Sequence, residues 1–181
     1  MTGEVCVVAE TLRGEVTELT YTMLVAGRQL ADGLKTKLSA LLIGHQLDKI
    51  APSLGAADRV LCVDSPALAE FNPEAYLRVV AEVFGKQTPR IGLFGHTAMG
   101  TDLACGVGQR LGLPVAVSCR TFPVNGDGPQ YSSLICGGKI IAEGPLPEPS
   151  CLATVMPGGY KADEGRVAKT PAVESLPAPA G

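Results

Sequence analysis

A run of small and polar residues between a strand and a helix is the part of this sequence best suited to hold a ligand. Residues 91–111 read IGLFGHTAMGTDLACGVGQRL, which predicts an apolar strand, a tight turn at Gly95 and Gly100, and an amphipathic helix. Thr101 or Asp102 is predicted to cap that helix, because a short polar side chain accepts hydrogen bonds from the first helical amides.

The exposed amides of such a turn can bind an anion. The predicted site for an adenine nucleotide or another anion consists of Gly95, Thr97, Gly100, Thr101 and Asp102. Thr97 and the amides around Gly100 are the expected phosphate contacts, whereas Asp102 is expected to serve the helix rather than catalysis. The loop matches neither the dinucleotide fingerprint nor a P-loop, so it names no particular ligand.

Four titratable residues follow predicted strands, namely Glu10, His45, Asp64 and His96. Parallel strands end at one edge of their sheet, and open α/β sheets bind ligands there. Two imidazoles and two carboxylates could bind a metal ion or share a proton, but no motif fixes their geometry, so ordinary polar loop residues are the favoured interpretation. The sequence has no nucleophile elbow and no Ser-His-Asp order, so we predict no catalytic residue, no metal site and no enzyme activity.

Further polar residues have two interpretations each. Lys139 after Gly138 could face an anion, although a charged residue that keeps a strand edge soluble is favoured. Tyr131 and Tyr160 suit either a partner surface or half-buried packing. The six cysteines include no C-x-x-C pair, which predicts buried thiols rather than disulfides or metal ligands.

Composition limits the function classes. The chain has 181 residues, 46% of them hydrophobic, and a formal net charge of -3 without a basic stripe. These values predict a well-packed domain and argue against nucleic acid and membrane insertion. The first strand begins close to Met1 without a basic leader, so we expect a soluble, cytoplasmic protein.

Strand and helix patterns alternate through the first two thirds of the chain. Apolar runs predict strands at residues 4–9, 38–43, 60–63, 91–94 and 115–119. A helix with apolar residues from Leu19 to Leu30 is expected to stop at Gly33, and another is expected to begin at Asn72 and end at Gly85. A short, weak helix is expected at residues 47–54. Such repeats predict an α/β fold with a three-layer, mostly parallel, Rossmann-like sheet.

The pattern changes after Phe122. Gly137 and Gly138 between SSLIC and KIIAE predict an antiparallel hairpin at the sheet edge, and residues 151–155 are expected to form the last strand. Beyond Tyr160 the composition turns to Lys, Glu, Ala and Pro. We therefore expect a folded domain over residues 1–161 and a flexible tail or linker over residues 162–181.

The motifs in this order carry a family resemblance. VCVVAE at Val5, LLIG, LGAADRV, NPEAYLRVVAEVF, GHTAMGTDLA at Gly95, RLGLP, CGGKIIAE and LATVMPGGY together resemble the amino-terminal domain of the electron transfer flavoprotein alpha subunit. The resemblance implies a sheet of the adenine-nucleotide-alpha-hydrolase type and a beta-subunit partner of related fold. It also implies electron traffic between a dehydrogenase and an acceptor.

The same resemblance implies that FAD is bound on a separate carboxyl-terminal domain, for which this sequence has no matching segment. Thr101 and Met156 stand where the family usually has arginine, and another family arginine falls at Cys105 or Gly106. These replacements remove guanidinium donors suited to carboxylates and phosphates, so we expect altered docking contacts.

The preferred hypothesis is a scaffolding and docking domain that binds no cofactor alone. It would pair with the beta subunit or a separate FAD domain, and homo-oligomer formation is left open. The alternative hypothesis is a stand-alone module that binds an adenine nucleotide such as AMP. A small enzyme of the same superfamily is the third and weakest hypothesis.

Overall fold

Alternating strands and helices make up most of the computed structural model, which describes residues 3–178. The α-helices are α1 (Glu18–Leu34), α2 (Pro73–Gln87) and α3 (Ala98–Leu111). The strands are β1 (Val5–Val8), β2 (Thr11–Leu12), β3 (Glu15–Val16), β4 (Leu38–Gly44), β5 (Arg59–Asp64), β6 (Ile91–Gly95), β7 (Val115–Thr121), β8 (Val124–Asn125), β9 (Gly128–Ile135), β10 (Ile140–Pro145), β11 (Cys151–Val155) and β12 (Ala172–Ser175).

One sheet organises the described part of the chain, in the strand order β10-β9-β7-β11-β6-β1-β4-β5-β12. The neighbouring strands in the stretch β7-β11-β6-β1-β4-β5-β12 of this order pair in parallel. Strands β9 and β10 add antiparallel pairs at one edge. Buried residues of α1 contribute to the core on one face, while α2 and α3 cover the other. The predicted three-layer, mostly parallel α/β fold is confirmed.

Strand β1 shows why the central strands are apolar without interruption. Val5 and Val7 pack into the core beneath α1, whereas Cys6 and Val8 pack into the core beneath α2 and α3. A strand covered on both faces needs apolar side chains at every position, because successive side chains alternate between the faces. Within residues 3–178, none of the helices has the length and apolar composition that a bilayer crossing requires.

Two helix ends differ from the prediction. Helix α1 passes through Gly33 and ends at Leu34, with Lys35 in the left-handed conformation. Close packing accounts for glycine at position 33, because a Cβ there would be 2.8 Å from the Val124 side chain. Helix α2 has its predicted cap at Asn72, whose side chain accepts hydrogen bonds from the N–H groups of Glu74 and Ala75. It then passes through Gly85 to Gln87, since one glycine costs a helix only about 1 kcal/mol.

The weak helix predicted at residues 47–54 is a pair of 3-10 turns, Leu47–Lys49 and Ala51–Leu54. The antiparallel hairpin predicted around Gly137 and Gly138 is confirmed as β9 and β10. Both glycines have positive φ, as a tight connection at this point requires.

The segment after residue 161 packs on the domain, which corrects the expectation that it is too polar to do so. A 3-10 turn at Ala162–Gly165 lies against α1, and β12 pairs in parallel with β5. Backbone hydrogen bonds and an Arg59–Glu174 ion pair of 2.9 Å hold this strand, so it needs little apolar area. Strand β11 is therefore not the last strand. Residues 179–181 of the predicted tail lie outside the described residues.

Candidate functional site

The strand order places a cleft at the carboxyl ends of β1 and β6. The chain leaves β1 for β4 on one side and later returns to β6 on the other, so the direction of winding switches between β1 and β6. Open α/β sheets bind ligands at such a switch point. The cleft has a volume of about 500 Å³ and includes Gly95 and Gly100 of the predicted anion site.

Polar and apolar groups contribute about equally to the cleft wall, and large apolar side chains form part of it. They include Val8, Ile43, Tyr76, Phe94 and Leu103. The Tyr76 hydroxyl donates to the carbonyl of Leu68 over 3.1 Å, which leaves its ring available to the cleft. The β2-β3 hairpin, which turns at Arg13 and Gly14 with positive φ at both residues, lines another part of the wall.

Glu10 is the buried carboxylate of this cleft. It follows β1 directly and is only 6% exposed. Its backbone is fixed by Thr20, which accepts from the Glu10 N–H over 2.8 Å and donates to the Glu10 carbonyl over 3.0 Å. Its Oε1 accepts a 2.9 Å hydrogen bond from the Thr97 hydroxyl. Burial raises the pKa of Glu10, while the Thr97 hydrogen bond acts in the opposite direction.

The two glycines of the predicted anion site leave room for this carboxylate. A Cβ at Gly95 would be 2.5 Å from Glu10 Oε1, and a Cβ at Gly100 would be 2.6 Å from the same atom. A Cβ at Gly100 would also be 2.2 Å from the Gly95 carbonyl oxygen. Close approach, rather than an unusual backbone conformation, therefore accounts for glycine at both positions.

Thr97, and not Thr101 or Asp102, caps helix α3. The Thr97 side chain accepts a 2.9 Å hydrogen bond from the Gly100 N–H, and the helix begins at Ala98. The predicted caps are wrong because the helix starts at Ala98, four residues before the predicted start at Asp102, which places Asp102 beyond the first turn and exposed. Anion binding by these five residues stays a prediction, with Gly95 and Gly100 at the cleft wall and Thr97 bonded to Glu10.

His96 belongs to a second cluster, with Thr154 and Ser118. Thr154 Oγ1 lies 2.9 Å from His96 Nδ1 and accepts a 2.9 Å hydrogen bond from the Ser118 N–H. The fully buried Thr154 hydroxyl has no other acceptor within residues 3–178, so its proton must point to Nδ1. We therefore assign the imidazole proton to Nε2, which lies 3.2 Å from Ser118 Oγ.

Ser118 was missed by the sequence analysis, although it has an unusual backbone. Its φ is +56°, in the left-handed region, at an irregularity in the pairing of β7. A positive φ at a non-glycine residue is strained and is concentrated at functional sites. With the imidazole proton on Nε2, His96 donates a hydrogen bond to the Ser118 hydroxyl and cannot accept its proton. The Ser118–His96 pair therefore does not form an activated nucleophile.

His45 and Asp64 form a third, exposed pair 3.2 Å apart. The Asp64 carboxylate also accepts hydrogen bonds from the N–H groups of Leu47 and Gln46 at 2.8 and 3.2 Å. The Leu47 hydrogen bond, followed by His45, lowers the pKa of Asp64. The four titratable residues do lie at the carboxyl edge, but in three separate clusters. Within residues 3–178 no three His, Cys, Asp or Glu side chains are grouped as metal ligands.

The remaining candidates have mainly structural surroundings. Tyr160 accepts a hydrogen bond from the Phe122 N–H over 2.8 Å, and Tyr131 is half-buried against the core, which confirms the packing interpretation. Lys139 is exposed in the β9-β10 turn. The cysteine prediction is confirmed for four buried thiols, whose pKa burial raises to about 11, while two others are exposed. The buried cysteines are Cys6, Cys62, Cys119 and Cys151; the exposed ones are Cys105 and Cys136.

Comparison with curated proteins returns relatives along most of the chain. The alpha subunit of the electron transfer flavoprotein of Bacillus subtilis is 29% identical over 179 residues, covering 97% of this chain and 54% of the relative. Protein FixB of Clostridium saccharobutylicum is 33% identical, covering 87% and 48%. The acryloyl-CoA reductase electron transfer subunit beta of Anaerotignum propionicum is 27% identical, covering 89% and 51%.

The chain thus spans about half the length of the curated relatives it matches. A family model described as the electron transfer flavoprotein domain matches residues 5–180. This range includes every strand and helix described above. The chain therefore belongs to the electron transfer flavoprotein domain family.

Proposed function

We propose that this chain is a scaffolding and docking domain in electron transfer between a dehydrogenase and an acceptor. Family membership supports the electron-transfer role, and the relatives' names are those of electron transfer subunits. The structural observation that carries the docking role is an exposed apolar edge on the β9-β10 hairpin. We call it the hairpin patch; it consists of Ile135, Ile140 and Ile141, which are 37%, 50% and 63% exposed.

The hairpin patch has the chemistry of a partner surface. Strand β10 is the end of the strand order, so one side of its backbone is unpaired within residues 3–178. Soluble proteins usually protect such an edge with charges or a covering segment. Consecutive exposed isoleucines on an edge strand are unusual and favour burial by another protein. Ile140 pairs with Ile135 on one face of the hairpin and Ile141 lies on the other face, so a partner that covers this edge would bury apolar side chains on both faces.

The proposed partner is the beta subunit of an electron transfer flavoprotein, or a separate FAD domain. The resemblance of this chain to alpha subunits is the reason for that choice, and the relatives' greater length leaves the second possibility open. In the proposed complex this chain seats its partner and positions the electron carrier. It performs no bond chemistry itself, since His96 directs its Nε2 proton toward Ser118 and leaves that hydroxyl without a base.

The residues of the cleft do not fit the diphosphate of FAD. A diphosphate needs free N–H donors or cations. Arg13 lines the cleft, but at the start of α3 the Gly100 N–H is bonded to Thr97 and the Glu10 carboxylate occupies the space beside Gly95. Placing two phosphates next to a carboxylate would add like charges in a partly buried position. We infer that FAD is bound by the partner, so the purified chain should be colourless.

Co-purification tests the docking role. The chain should be co-expressed with the beta-type subunit from the same genome, and the complex measured by size-exclusion chromatography and titration calorimetry. We expect Ile140→Asp with Ile141→Asp to weaken association by at least tenfold. Val173→Asp is the matched control, because Val173 is 51% exposed on β12 at the opposite sheet edge. Equal affinities for both variants, or no association of the wild-type chain, would reject the proposal.

A second candidate function is that of a stand-alone adenine-nucleotide-binding module. The observation in its favour is the cleft of about 500 Å³ at the switch point of the sheet. Thermal unfolding with AMP or ATP tests it, since a ligand that binds only the folded state stabilises that state. An unchanged midpoint at millimolar nucleotide would reject this candidate and leave the docking proposal untouched.

A further inference from the structure

The cleft at the switch point contains a carboxylate whose hydrogen-bonding capacity is only partly used. Glu10 is 94% buried by exposed area, and Oε1 accepts one hydrogen bond, from Thr97. Oε2 accepts no hydrogen bond from any residue in the range 3–178. In that range, every side-chain oxygen that is fully shielded from solvent has a hydrogen-bond partner, so an oxygen without one is not fully shielded. Oε2 must therefore be accessible from the cleft that Glu10 lines.

No Lys, Arg or His side chain of residues 3–178 forms an ion pair with this group, the Glu10 carboxylate, although Arg13 lines the same cleft. Burying a carboxylate is unfavourable unless hydrogen bonds or a charge compensate it. A ligand that brings donors to Oε2 would gain that compensation on binding.

The same carboxylate disfavours an anionic ligand. The space beside Gly95 and Gly100, where the N-terminus of α3 would otherwise receive a phosphate, already holds Oε1 of Glu10. The Gly100 N–H is also occupied, because it donates to Thr97. A phosphate here would meet a like charge at close range and find this amide unavailable.

One part of the wall fits an apolar body. Phe94, Tyr76, Met99 and Leu103 line the cleft, and Phe71 stands edge-on to Tyr76 with ring centroids 5.0 Å apart. A volume of about 500 Å³ lies within the range of ordinary small-molecule sites. The surroundings of Glu10 therefore combine apolar walls with a strong acceptor.

We propose that this cleft binds a small molecule with an apolar body and a head group that gives two hydrogen bonds to the Glu10 carboxylate, and that it discriminates against phosphorylated ligands. An amidinium or a vicinal diol has that donor geometry. Oε2 and the second lone pair of Oε1 would accept the two hydrogen bonds from the ligand, while the hydrogen bond from Thr97 to Oε1 is retained. The proposal is independent of the docking role and opposes the nucleotide-binding candidate.

Calorimetric titration with three probes tests it. Benzamidine supplies an amidinium, adenosine supplies a diol, and AMP adds a phosphate to the adenosine frame. We expect benzamidine or adenosine to bind with a millimolar or lower Kd, and AMP to bind at least tenfold more weakly than adenosine. Binding of AMP equal to or tighter than that of adenosine would overturn the proposal, as would the absence of binding by both donor probes.

Two variants locate the site. Glu10→Gln keeps the shape but removes the charge, and it should weaken benzamidine binding at least tenfold. Glu143→Gln, which removes a charge from an exposed position on β10 outside the cleft, should change it less than threefold. Ala69→Trp fills the mouth from an exposed position and should abolish binding by either donor probe. Because Ala69 is exposed, this variant tests the site even if Glu10→Gln fails to fold. Unchanged binding in Ala69→Trp would contradict the proposed location.

Discussion

The buried hydroxyl of Thr154 joins His96 to Ser118, with Oγ1 2.9 Å from both the His96 Nδ1 and the Ser118 backbone nitrogen. Because the Ser118 N–H can only donate, the Thr154 proton is directed to His96. We predict that His96 is the neutral tautomer protonated at Nε2 at pH 7. Long-range ¹⁵N–¹H correlation NMR of the imidazole distinguishes the two tautomers, and a proton on Nδ1 would contradict this hydrogen-bond assignment.

Removal of that hydroxyl should destabilise the fold. In Thr154→Val the Ser118 N–H and His96 Nδ1 lose their shared partner, which we expect to lower the free energy of unfolding by about 1–3 kcal/mol. Thr154→Ser is the control, because it keeps the hydroxyl and loses one methyl group, worth about 0.8 kcal/mol. Urea unfolding at pH 7 gives both values. A valine variant as stable as the wild type would mean that the hydroxyl contributes nothing.

The stability contributed by Glu10 should depend on pH. Burial raises its pKa above the ordinary value of 4.5, against the opposing effect of the Thr97 hydrogen bond. A carboxyl whose pKa is higher in the folded state binds protons more tightly there, so folding loses stability as pH rises from about 4.5 through the raised value. We predict that Glu10→Gln gains stability relative to the wild type over that interval.

Urea midpoints measured from pH 4 to pH 8 test the sign of this effect. Glu70→Gln, at the exposed rim of the same cleft, controls for the loss of one negative charge from the molecule. If the wild type instead becomes more stable relative to Glu10→Gln as pH rises, then the Thr97 hydrogen bond lowers the pKa of Glu10 by more than burial raises it.

Local sequence patterns were sufficient for the central sheet and for individual caps. The apolar run of β1 and the Asn72 cap depend on neighbouring residues, and both were predicted correctly. The Thr97–Glu10 hydrogen bond joins residues 87 positions apart, so the helix start that it accompanies could not be derived from the loop alone. Ser118 had no detectable pattern, because its backbone strain arises where β7 passes β9 and β11.

The segment after residue 161 illustrates a different failure. Composition measures how much apolar area a segment can bury, but β12 is held by backbone pairing with β5 and by Glu174 on Arg59. Neither the backbone pairing nor the ion pair depends on the hydropathy of the segment. Arg166 also stacks over the Tyr21 ring, 4.1 Å from its centroid, which uses a charged residue for packing. A polar, proline-rich composition therefore did not exclude an ordered edge strand.

Proline substitutions test the pairing of β12. The Ala172 N–H donates over 3.3 Å to the carbonyl of Asp58, just before β5, and the Leu176 N–H donates over 2.8 Å to Cys62 in β5. The N–H of Glu174, between them, therefore faces β5 as well. Glu174→Pro should release the strand and increase trypsin cleavage after Lys169 at least tenfold. Glu174→Gln separates the ion pair from the backbone effect, and Val173→Pro removes an N–H that points away from β5. If Val173→Pro is cleaved as fast as Glu174→Pro, the pairing does not protect the segment.

Gly92 in β6 lies where the core has little room for one more carbon atom. A Cβ there would be 2.4 Å from Phe84 Cε2 and 2.8 Å from Leu152 Cδ2, and Phe84 already packs edge-on to Phe94 at a centroid distance of 5.9 Å. Both neighbours are fully enclosed, so neither can move without disturbing the layer between α2 and the sheet. We predict that Gly92→Ala lowers the free energy of unfolding by about 1–3 kcal/mol, as overpacking typically does.

Gly126→Ala provides the matched control for this prediction. Gly126 has no neighbour within 4 Å of a built Cβ and does not have a positive φ, so alanine there adds no contact and causes no backbone strain. The loss of glycine flexibility in the unfolded chain should leave Gly126→Ala equal to the wild type or slightly more stable. Urea unfolding of both variants separates core overpacking from the general effect of glycine replacement. Equal stabilities would show that Phe84 and Leu152 can yield, and that α2 is packed less tightly against β6 than these distances indicate.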